Sequence, residues 1–405
     1  MTRRTLYTLA GLGGAVALCA LLFGKAPQAA ALSARVPTDP AEVLESLPYA
    51  ATDARSRQIA TLRRTLALAP DDLPAAVRLA KLDIQLARER SDPRYLGHAQ
   101  AALATWWGEA EPPIEVLVLR ATIEQSLHDF EAALRDLDRA VKIAPEDAQA
   151  WVTRAVVLTV RGRYEEARQS CAQLVPLASN LVVIVCQTGV DSVNGQAQAA
   201  YVRLGEVLER GRHVSTDEEA WARSSLAEYA VRAGHLDEAE KHFRRTLEID
   251  PDDGYVRAAF SDLLLDRDRP ADALALVRGR ESNDALLLRI AIAEKRLGAP
   301  DAASHLDALT GRFDASRLRG DSVHRREEAR YWLELRGDPA RALALAQANW
   351  DVQKEPADAR VFLEAARAAK APAEAAGLIA WLGETKLEDP FIAQRVADLR
   401  KAAGQ

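Results

Sequence analysis

A recurring six-residue pattern constrains the fold of this 405-residue chain more than any other feature. A turn residue is followed five positions later by alanine, and in the clearest cases a large ring lies between them, as in His128-Asp129-Phe130-Glu131-Ala132-Ala133 and Gly162-Arg163-Tyr164-Glu165-Glu166-Ala167. The turn residue falls at positions 94, 128, 162, 195, 234, 268, 298, 337 and 370, a spacing of about 34 residues. Such a period indicates a repeat array rather than two or three unrelated domains.

The residues around each turn predict paired helices. After the alanine, apolar residues often recur four and seven positions later, as at Ala133, Leu137 and Ala140, which places them on one helix face. That helix often ends at a proline followed by acids, as in Ala144-Pro145-Glu146-Asp147 and Asp250-Pro251-Asp252-Asp253. A residue before proline leaves the helical region, and acids suit the positive start of the next helix. Because runs with the two-residue period of strands are scarce, we expect an all-α fold.

The pattern resembles the tetratricopeptide repeat (TPR), a helix–turn–helix unit of 34 residues. The best single match consists of Pro145, Trp151, Ala155, Gly162, Tyr164 and Ala167. The resemblance implies a right-handed superhelical solenoid of about nine units over residues 53–405, with the best-matching units at 114–147, 148–181, 220–253 and 254–285. The chain departs from the family pattern where Thr188, Arg330 and Leu363 replace a small residue of the first helix.

The first 34 residues predict an export signal. Residues 6–23 carry no charge, Arg3 and Arg4 precede them, and an alanine-rich site at 29–31 follows. This order is typical of a cleaved signal peptide, but the uncharged stretch also reaches the lower limit of a membrane span, so a retained anchor is the alternative. In both cases residues 35–405 would be exported to the periplasm. Prolines at 37, 40 and 48 predict a linker over residues 35–52.

The resemblance also implies a concave groove for a partner, lined by the first helix of each unit. Its expected lining consists of Glu115, Val118, Thr122, Gln125, Val152, Val156, Thr159, Val185, Trp221, Glu228, Tyr255 and Asp262. The valines would form an apolar docking patch, unless the superhelix tightens and they pack on one another or on a neighbouring loop. The aromatic residues beside acids suit a basic, partly extended peptide, although ordinary solvated helix faces have the same composition.

Composition and motifs argue against several other functions. The net charge is −6, and the acids all lie outside the first 34 residues, so the repeats would repel nucleic acid. We find no HExxH, GxSxG or phosphate-loop motif, and therefore expect no catalytic residue, metal or cofactor. Cys171 and Cys186 fall on helices that touch in this family, so we expect either a disulfide between them or two buried thiols.

The sequence thus predicts an exported, non-catalytic TPR scaffold that binds a protein or extended peptide and holds or assembles a bacterial envelope complex. It leaves two alternatives. The first is an enzyme-accessory or small-ligand protein with a pocket inside the superhelix, lined by Trp221, Glu228, Tyr255 and Asp262. The second is a membrane-tethered TPR adaptor that faces the cytoplasm.

Overall fold

The computed structural model describes residues 54–90, 92–211, 214–319 and 324–402, and these are helical with no strand among them. The predicted leader (1–34) and linker (35–52) lie outside the described residues. The helices are α1 (Ala54–Leu68), α2 (Leu73–Arg90), α3 (Arg94–Ala102), α4 (Ala104–Trp107), α5 (Ile114–Ser126), α6 (Phe130–Ile143), α7 (Ala148–Val160), α8 (Tyr164–Gln173), α9 (Asn180–Ser192), α10 (Ala197–Arg210), α11 (Thr216–Arg232), α12 (Leu236–Ile249), α13 (Gly254–Asp266), α14 (Pro270–Val277), α15 (Asp284–Leu297), α16 (Ala302–Arg319), α17 (Arg325–Arg330), α18 (Pro339–Val352), α19 (Pro356–Ala368), α20 (Ala376–Thr385) and α21 (Pro390–Ala402). A π-helical turn, Tyr331–Arg336, continues α17, and a 3-10 turn, Pro372–Ala375, precedes α20.

Consecutive helices form hairpins, and the turn residues identified in the sequence lie between their two members. The turn positions from 128 to 370 all have positive φ, between 53° and 82°: His128, Gly162, Gly195, Gly234, Asp268, Gly298, Gly337 and Lys370. Glycine adopts this left-handed conformation freely, whereas a side chain raises its energy. The feature that recurs about every 34 residues is therefore a left-handed backbone conformation, and glycine occupies most of these positions.

The helices begin where the acids after proline predict. The Asp147 carboxylate accepts a hydrogen bond from the Ala150 N–H at 2.8 Å, and Asp253 accepts one from the Val256 N–H at 2.9 Å. Both carboxylates thus cap otherwise unpaired N–H groups at a helix start.

The small residues of the first helices lie where two helices approach closely. They are at most 2% exposed, and they include Ala121, Ala155, Ala227, Ser261 and Ala291. Large side chains fill the space between neighbouring hairpins, as where the Phe243 and Phe260 rings stack with centroids 5.6 Å apart. A disulfide joins Cys171 of α8 to Cys186 of α9, with Cα atoms 5.6 Å apart.

The C-terminal helices contact hairpins that lie far earlier in the chain. The Lys354 N–H donates to the Val160 carbonyl at 2.8 Å, and the Asn194 side-chain amide donates to the Thr385 carbonyl at 2.9 Å. The Trp381 ring lies 6.2 Å from that of Tyr164. The segment from the end of α18 to the end of α20 therefore packs against the turns of the α7/α8 and α9/α10 hairpins, which a simple nearest-neighbour array would leave open.

None of the helices in the described ranges combines the length and the apolar character needed to cross a lipid bilayer.

Candidate partner-binding cavity

An inner cavity of about 780 Å³ lies among the first helices of the later hairpins. Its wall comes mainly from α11, α13, α15, α17 and α19, and it is completed by the end of α2, the turn after α5 and helix α21. The C-terminal helices can contribute because they pack back on earlier hairpins. We call this space the inner cavity.

Asp262 of α13 is held by two guanidinium groups. Arg289 donates to it at 2.6 Å and Arg330 at 2.8 Å. Burial alone would raise the pKa of the Asp262 carboxyl, but the two arginines hold it well below its usual range. Asp262 is therefore ionised and its charge is balanced within the wall.

One turn further along α13, Asp266 repeats this arrangement. Arg360 of α19 donates to its carboxylate at 2.9 Å and Arg395 of α21 at 3.2 Å. Arg395 also pairs with Glu364, and Arg360 donates to Asp389 at 2.5 Å. Three helices, α13, α19 and α21, thus meet in one ion-pair network, in which each carboxylate faces a guanidinium.

A second group of charges surrounds Arg326 at the start of α17. Its guanidinium donates to Glu355 at 2.9 Å and reaches Glu327 and Asp358 at 3.3 Å. Burial raises the pKa of Asp358 to about 7, whereas Arg326 and other nearby cations overcome burial and lower that of Glu327 to about 2. Here one arginine faces three carboxyl groups, whereas around Asp262 two arginines face one carboxylate, so this group has more acids than bases.

Tyr255 at the start of α13 projects into the inner cavity and keeps 60% of its surface exposed. Its hydroxyl donates to the Glu228 carboxylate at 2.6 Å, and Arg232 donates to the same carboxylate at 2.8 Å. The Glu228 charge, and next the enclosure of the hydroxyl by the cavity wall, raise the pKa of Tyr255 well above its usual value. The phenol is therefore neutral, and the hydrogen bond fixes the direction of its ring.

Arg88, at the end of α2, also lines the cavity. In the described part of the chain its guanidinium makes no hydrogen bond or ion pair, and its partial removal from water lowers its pKa. It differs in this respect from the arginines around Asp262 and Asp266.

The structure brings three of the expected groove residues into the inner cavity: Glu228, Tyr255 and Asp262. Trp221, expected beside them, is half-buried and packs against the apolar cluster around Leu181 and Leu226 instead. The expectation that Asp262 is free to bind a basic peptide needs correction, because Arg289 and Arg330 already neutralise it.

Other expected groove residues are withdrawn from the surface. Val118, Thr122 and Val185 are 7%, 9% and 2% exposed, so they cannot contact a partner. Val152 is half-buried and packs against the same apolar cluster as Val352 and Trp381. Residues of the C-terminal helices thus pack against the same cluster as one member of the valine patch.

The rest of the expected groove remains at least partly accessible. Glu115 and Val156 are exposed, and Gln125 and Thr159 are half-buried. They do not line the inner cavity, so the structure separates them from Tyr255 and Glu228.

The repeat pattern in the sequence does not mark most of the cavity arginines as unusual, but it does mark Arg330. It occupies a position where the family pattern has a small residue, and the structure turns its guanidinium toward Asp262. Arg326, Arg360 and Arg395 occupy positions that the repeat pattern leaves unspecified, and only the return of the C-terminal helices brings them to α13.

Comparison with known proteins identifies the repeat. A family model described as tetratricopeptide repeat matches residues 118–181 and 224–285. A search of curated proteins gives no match to this chain. A TPR protein from Thermus thermophilus is similar in structure, with 20% identity over 47% of this chain and 97% of that one (TM-score 0.37). A TPR protein from Parabacteroides merdae has 15% identity over 71% and 98% of the two chains (TM-score 0.36), and the human IFIT1 dimer with PPP-AAAA has 11% identity over 87% of each (TM-score 0.47).

Proposed function

The chain is a tetratricopeptide-repeat protein, and we propose that it is an exported, non-catalytic scaffold that binds a segment of another protein in its inner cavity. By doing so it would hold or assemble a complex in a bacterial envelope. The observation that carries the proposal is the inner cavity itself, because helix pairs of this family surround it and Tyr255 opens into it.

Two titratable groups of the wall are poorly suited to acid–base catalysis. A general acid or base needs a pKa near the working pH, but Asp262 stays well below its usual pKa, and the pKa of His128 is lowered to about 4 by burial and by Arg326. Asp358, with a pKa of about 7, does not line the cavity. In the part of the chain that the structure describes, no group of three His, Cys, Asp or Glu side chains could hold a metal ion.

Export is supported by the sequence and by one covalent feature. The basic start, the uncharged stretch and the alanine-rich site of residues 1–34 have the order of a secretion signal. The disulfide between Cys171 and Cys186 suits an oxidising compartment such as the periplasm.

Photo-crosslinking in the cell tests the binding role. We would place benzoylphenylalanine at Tyr255, inside the cavity, and at Ile143, which is 62% exposed at the end of α6 and lies outside it. We expect a protein adduct in the envelope fraction from position 255 and none from position 143. Equal adducts at both positions, or none at position 255, would contradict the proposal.

Reporter fusions test the direction of export. An enzyme that works only in the periplasm, fused after Gln405, should be active, and one that works only in the cytoplasm should not. The opposite pair of results would support the cytoplasmic-facing adaptor.

The dimensions of the cavity favour one second candidate, a small-ligand protein. A volume of about 780 Å³ lies within the range of small-molecule sites. Native mass spectrometry of the purified full-length chain distinguishes the two, because a small ligand would add a discrete mass that disappears on unfolding.

A further inference from the structure

The wall of the inner cavity has more negative than positive groups. Eleven Asp and Glu residues line it, against eight Arg residues. A cavity lined by an excess of one sign concentrates ligands of the opposite sign. The wall as a whole therefore favours a cationic ligand.

The excess is not spread evenly. On the side of Asp262 and Asp266, four arginines face these two carboxylates together with Glu364 and Asp389, so that side is balanced. Near Tyr255, by contrast, Arg326 faces both Glu327 and Glu355. One uncompensated negative charge consequently lies on the side of the cavity where Tyr255 projects.

The ring of Tyr255 is also open to a cation. Elsewhere in the chain cations already lie over aromatic rings: Arg360 is 4.8 Å from the Phe391 centroid, and Lys354 is 4.8 Å from that of Trp350. No Arg or Lys of the described ranges lies over the ring of Tyr255, which is 60% exposed. An aromatic face beside carboxylates attracts ammonium and guanidinium groups through its quadrupole.

The site is held in place before a ligand arrives. The Tyr255 hydroxyl is fixed by Glu228, and Glu228 is fixed in turn by Arg232, whose guanidinium also donates to the Ser192 hydroxyl at 3.1 Å. A binding group that needs no reordering loses less entropy when the ligand binds.

We propose that Tyr255, flanked by Glu228 and Glu355, is a site for a cationic group, and that its ligand is a lysine or arginine side chain of the partner segment. The identity of the ligand as a protein segment rests on the proposed function, but the cation chemistry of the site does not. A free polyamine would offer the same chemistry from a second source, and the test separates the two.

Calorimetric titration of the purified full-length chain tests the site with three probes: a short peptide alternating arginine and glycine, a matched peptide alternating glutamate and glycine, and spermidine. We expect the arginine peptide to bind, more weakly as salt rises, and the glutamate peptide not to bind. Tyr255→Leu should weaken binding of the arginine peptide about five- to thirtyfold, the range that a cation–π contact supplies. Glu228→Gln, which can still accept the tyrosine hydrogen bond, should weaken it less.

Tyr201→Leu is the matched control, because Tyr201 is half-buried on α10 and does not line the cavity. It should leave binding unchanged, and a thermal melt of each variant checks that the fold is retained. If spermidine binds as tightly as the peptide and with the same dependence on Tyr255, the cation site stands and its ligand is the polyamine.

Three results would overturn the site: no binding of either cation, equal affinity in Tyr255→Leu, or tighter binding of the glutamate peptide with loss in Arg88→Ala. The last would move the binding group to the unpaired arginine of α2. If any of these results is obtained but a partner protein is still crosslinked at position 255, the cation site is wrong and the proposed scaffold function is still supported.

Discussion

The turn residues show how one backbone angle can set the stability of a unit. Gly234 has φ +82° and no atom within 4 Å of where a Cβ would lie, so a side chain there meets only backbone strain. Lys370 occupies an equivalent turn with φ 55° and is exposed. Adding a side chain at Gly234 and removing one at Lys370 should therefore change the free energy of unfolding in opposite directions, both because of the positive φ angle.

We predict that Gly234→Ala lowers the free energy of unfolding by about 1–2 kcal/mol, and that Lys370→Gly raises it by about 0.5–1 kcal/mol. Urea denaturation measures both. Gly311→Ala is the control, because Gly311 lies within α16 with open space around it and the change should be stabilising there. Destabilisation by all three changes would show that the turn angle is not the cause.

Glu124 gives a residue-scale prediction with a pH dependence. Burial, and next the Asp136 charge, raise its pKa to about 7. Because the folded state binds this proton more tightly than the unfolded chain does, ionised Glu124 destabilises the fold, and stability falls as the pH rises from about 4.5 through 7.

Glu124→Gln should therefore raise the free energy of unfolding by about 1 kcal/mol at about pH 8, a value reduced because the side chain is partly exposed, and by much less below about pH 5. Thermal melts across this range measure the difference. Glu115→Gln, exposed on the same helix, should show no such dependence. A gain from Glu124→Gln that does not change with pH would contradict the assignment.

Among the elements, the helix starts are set by single carboxylates. Asp147→Ala removes the acceptor for the Ala150 N–H, and we expect a loss of about 1 kcal/mol in the free energy of unfolding. Asp147→Asn keeps an acceptor oxygen and should lose much less. Chemical denaturation of the pair tests this, and equal losses would mean that the negative charge at the helix start, not the hydrogen bond, is what stabilises it.

The helices and turns were easier to predict from the sequence than the long-range contacts, because the residues that determine them are close together in the chain. Hairpin turns follow from positions such as Gly162 and Gly298, and helix ends follow from Pro145 and Pro251. The π-helical turn at Tyr331–Arg336 could not be predicted in this way. There Tyr331 is 1% exposed and its hydroxyl lies 2.7 Å from that of Thr310, a contact with a neighbouring hairpin that the local sequence does not encode.

At the scale of the whole molecule, Trp381 is the side chain to test. It lies 5.0 Å from the Trp350 ring and 6.2 Å from the Tyr164 ring, so it joins the C-terminal helices to the α7/α8 hairpin. We predict that Trp381→Ala increases hydrogen exchange of the Lys354 amide, which donates to Val160, at least about tenfold. Exchange measured by mass spectrometry or NMR gives the result.

Trp107→Ala is the control, since Trp107 is half-buried in the N-terminal apolar cluster. It should leave exchange of the Lys354 amide unchanged. Protection of Lys354 that survives loss of Trp381 would show that polar contacts such as Asn194 to Thr385 suffice to hold the C-terminal helices.

Long-range placement was the least predictable level. Family positions in the first helices pointed to Glu228, Tyr255 and Asp262, and these three side chains line one cavity, because each repeat fixes which helix face points inward. They could not show that Asp262 is neutralised or that Val185 is buried, because both depend on helices from other parts of the chain. A repeat pattern specifies neighbours, whereas the ion pairs of Asp262 with Arg330 and of Asp266 with Arg360 join residues 68 and 94 positions apart.

The contact of Lys354 with Val160 has a consequence for how the protein can evolve. An array whose hairpins touch only their neighbours can gain or lose a unit by duplication or deletion, and both ends simply move. Here an extra hairpin between α8 and α18 would displace one partner relative to the other and break both the cavity wall and this bond. The number of hairpins between them is consequently fixed, and descendants of this chain should vary in their loops and retain their repeat count.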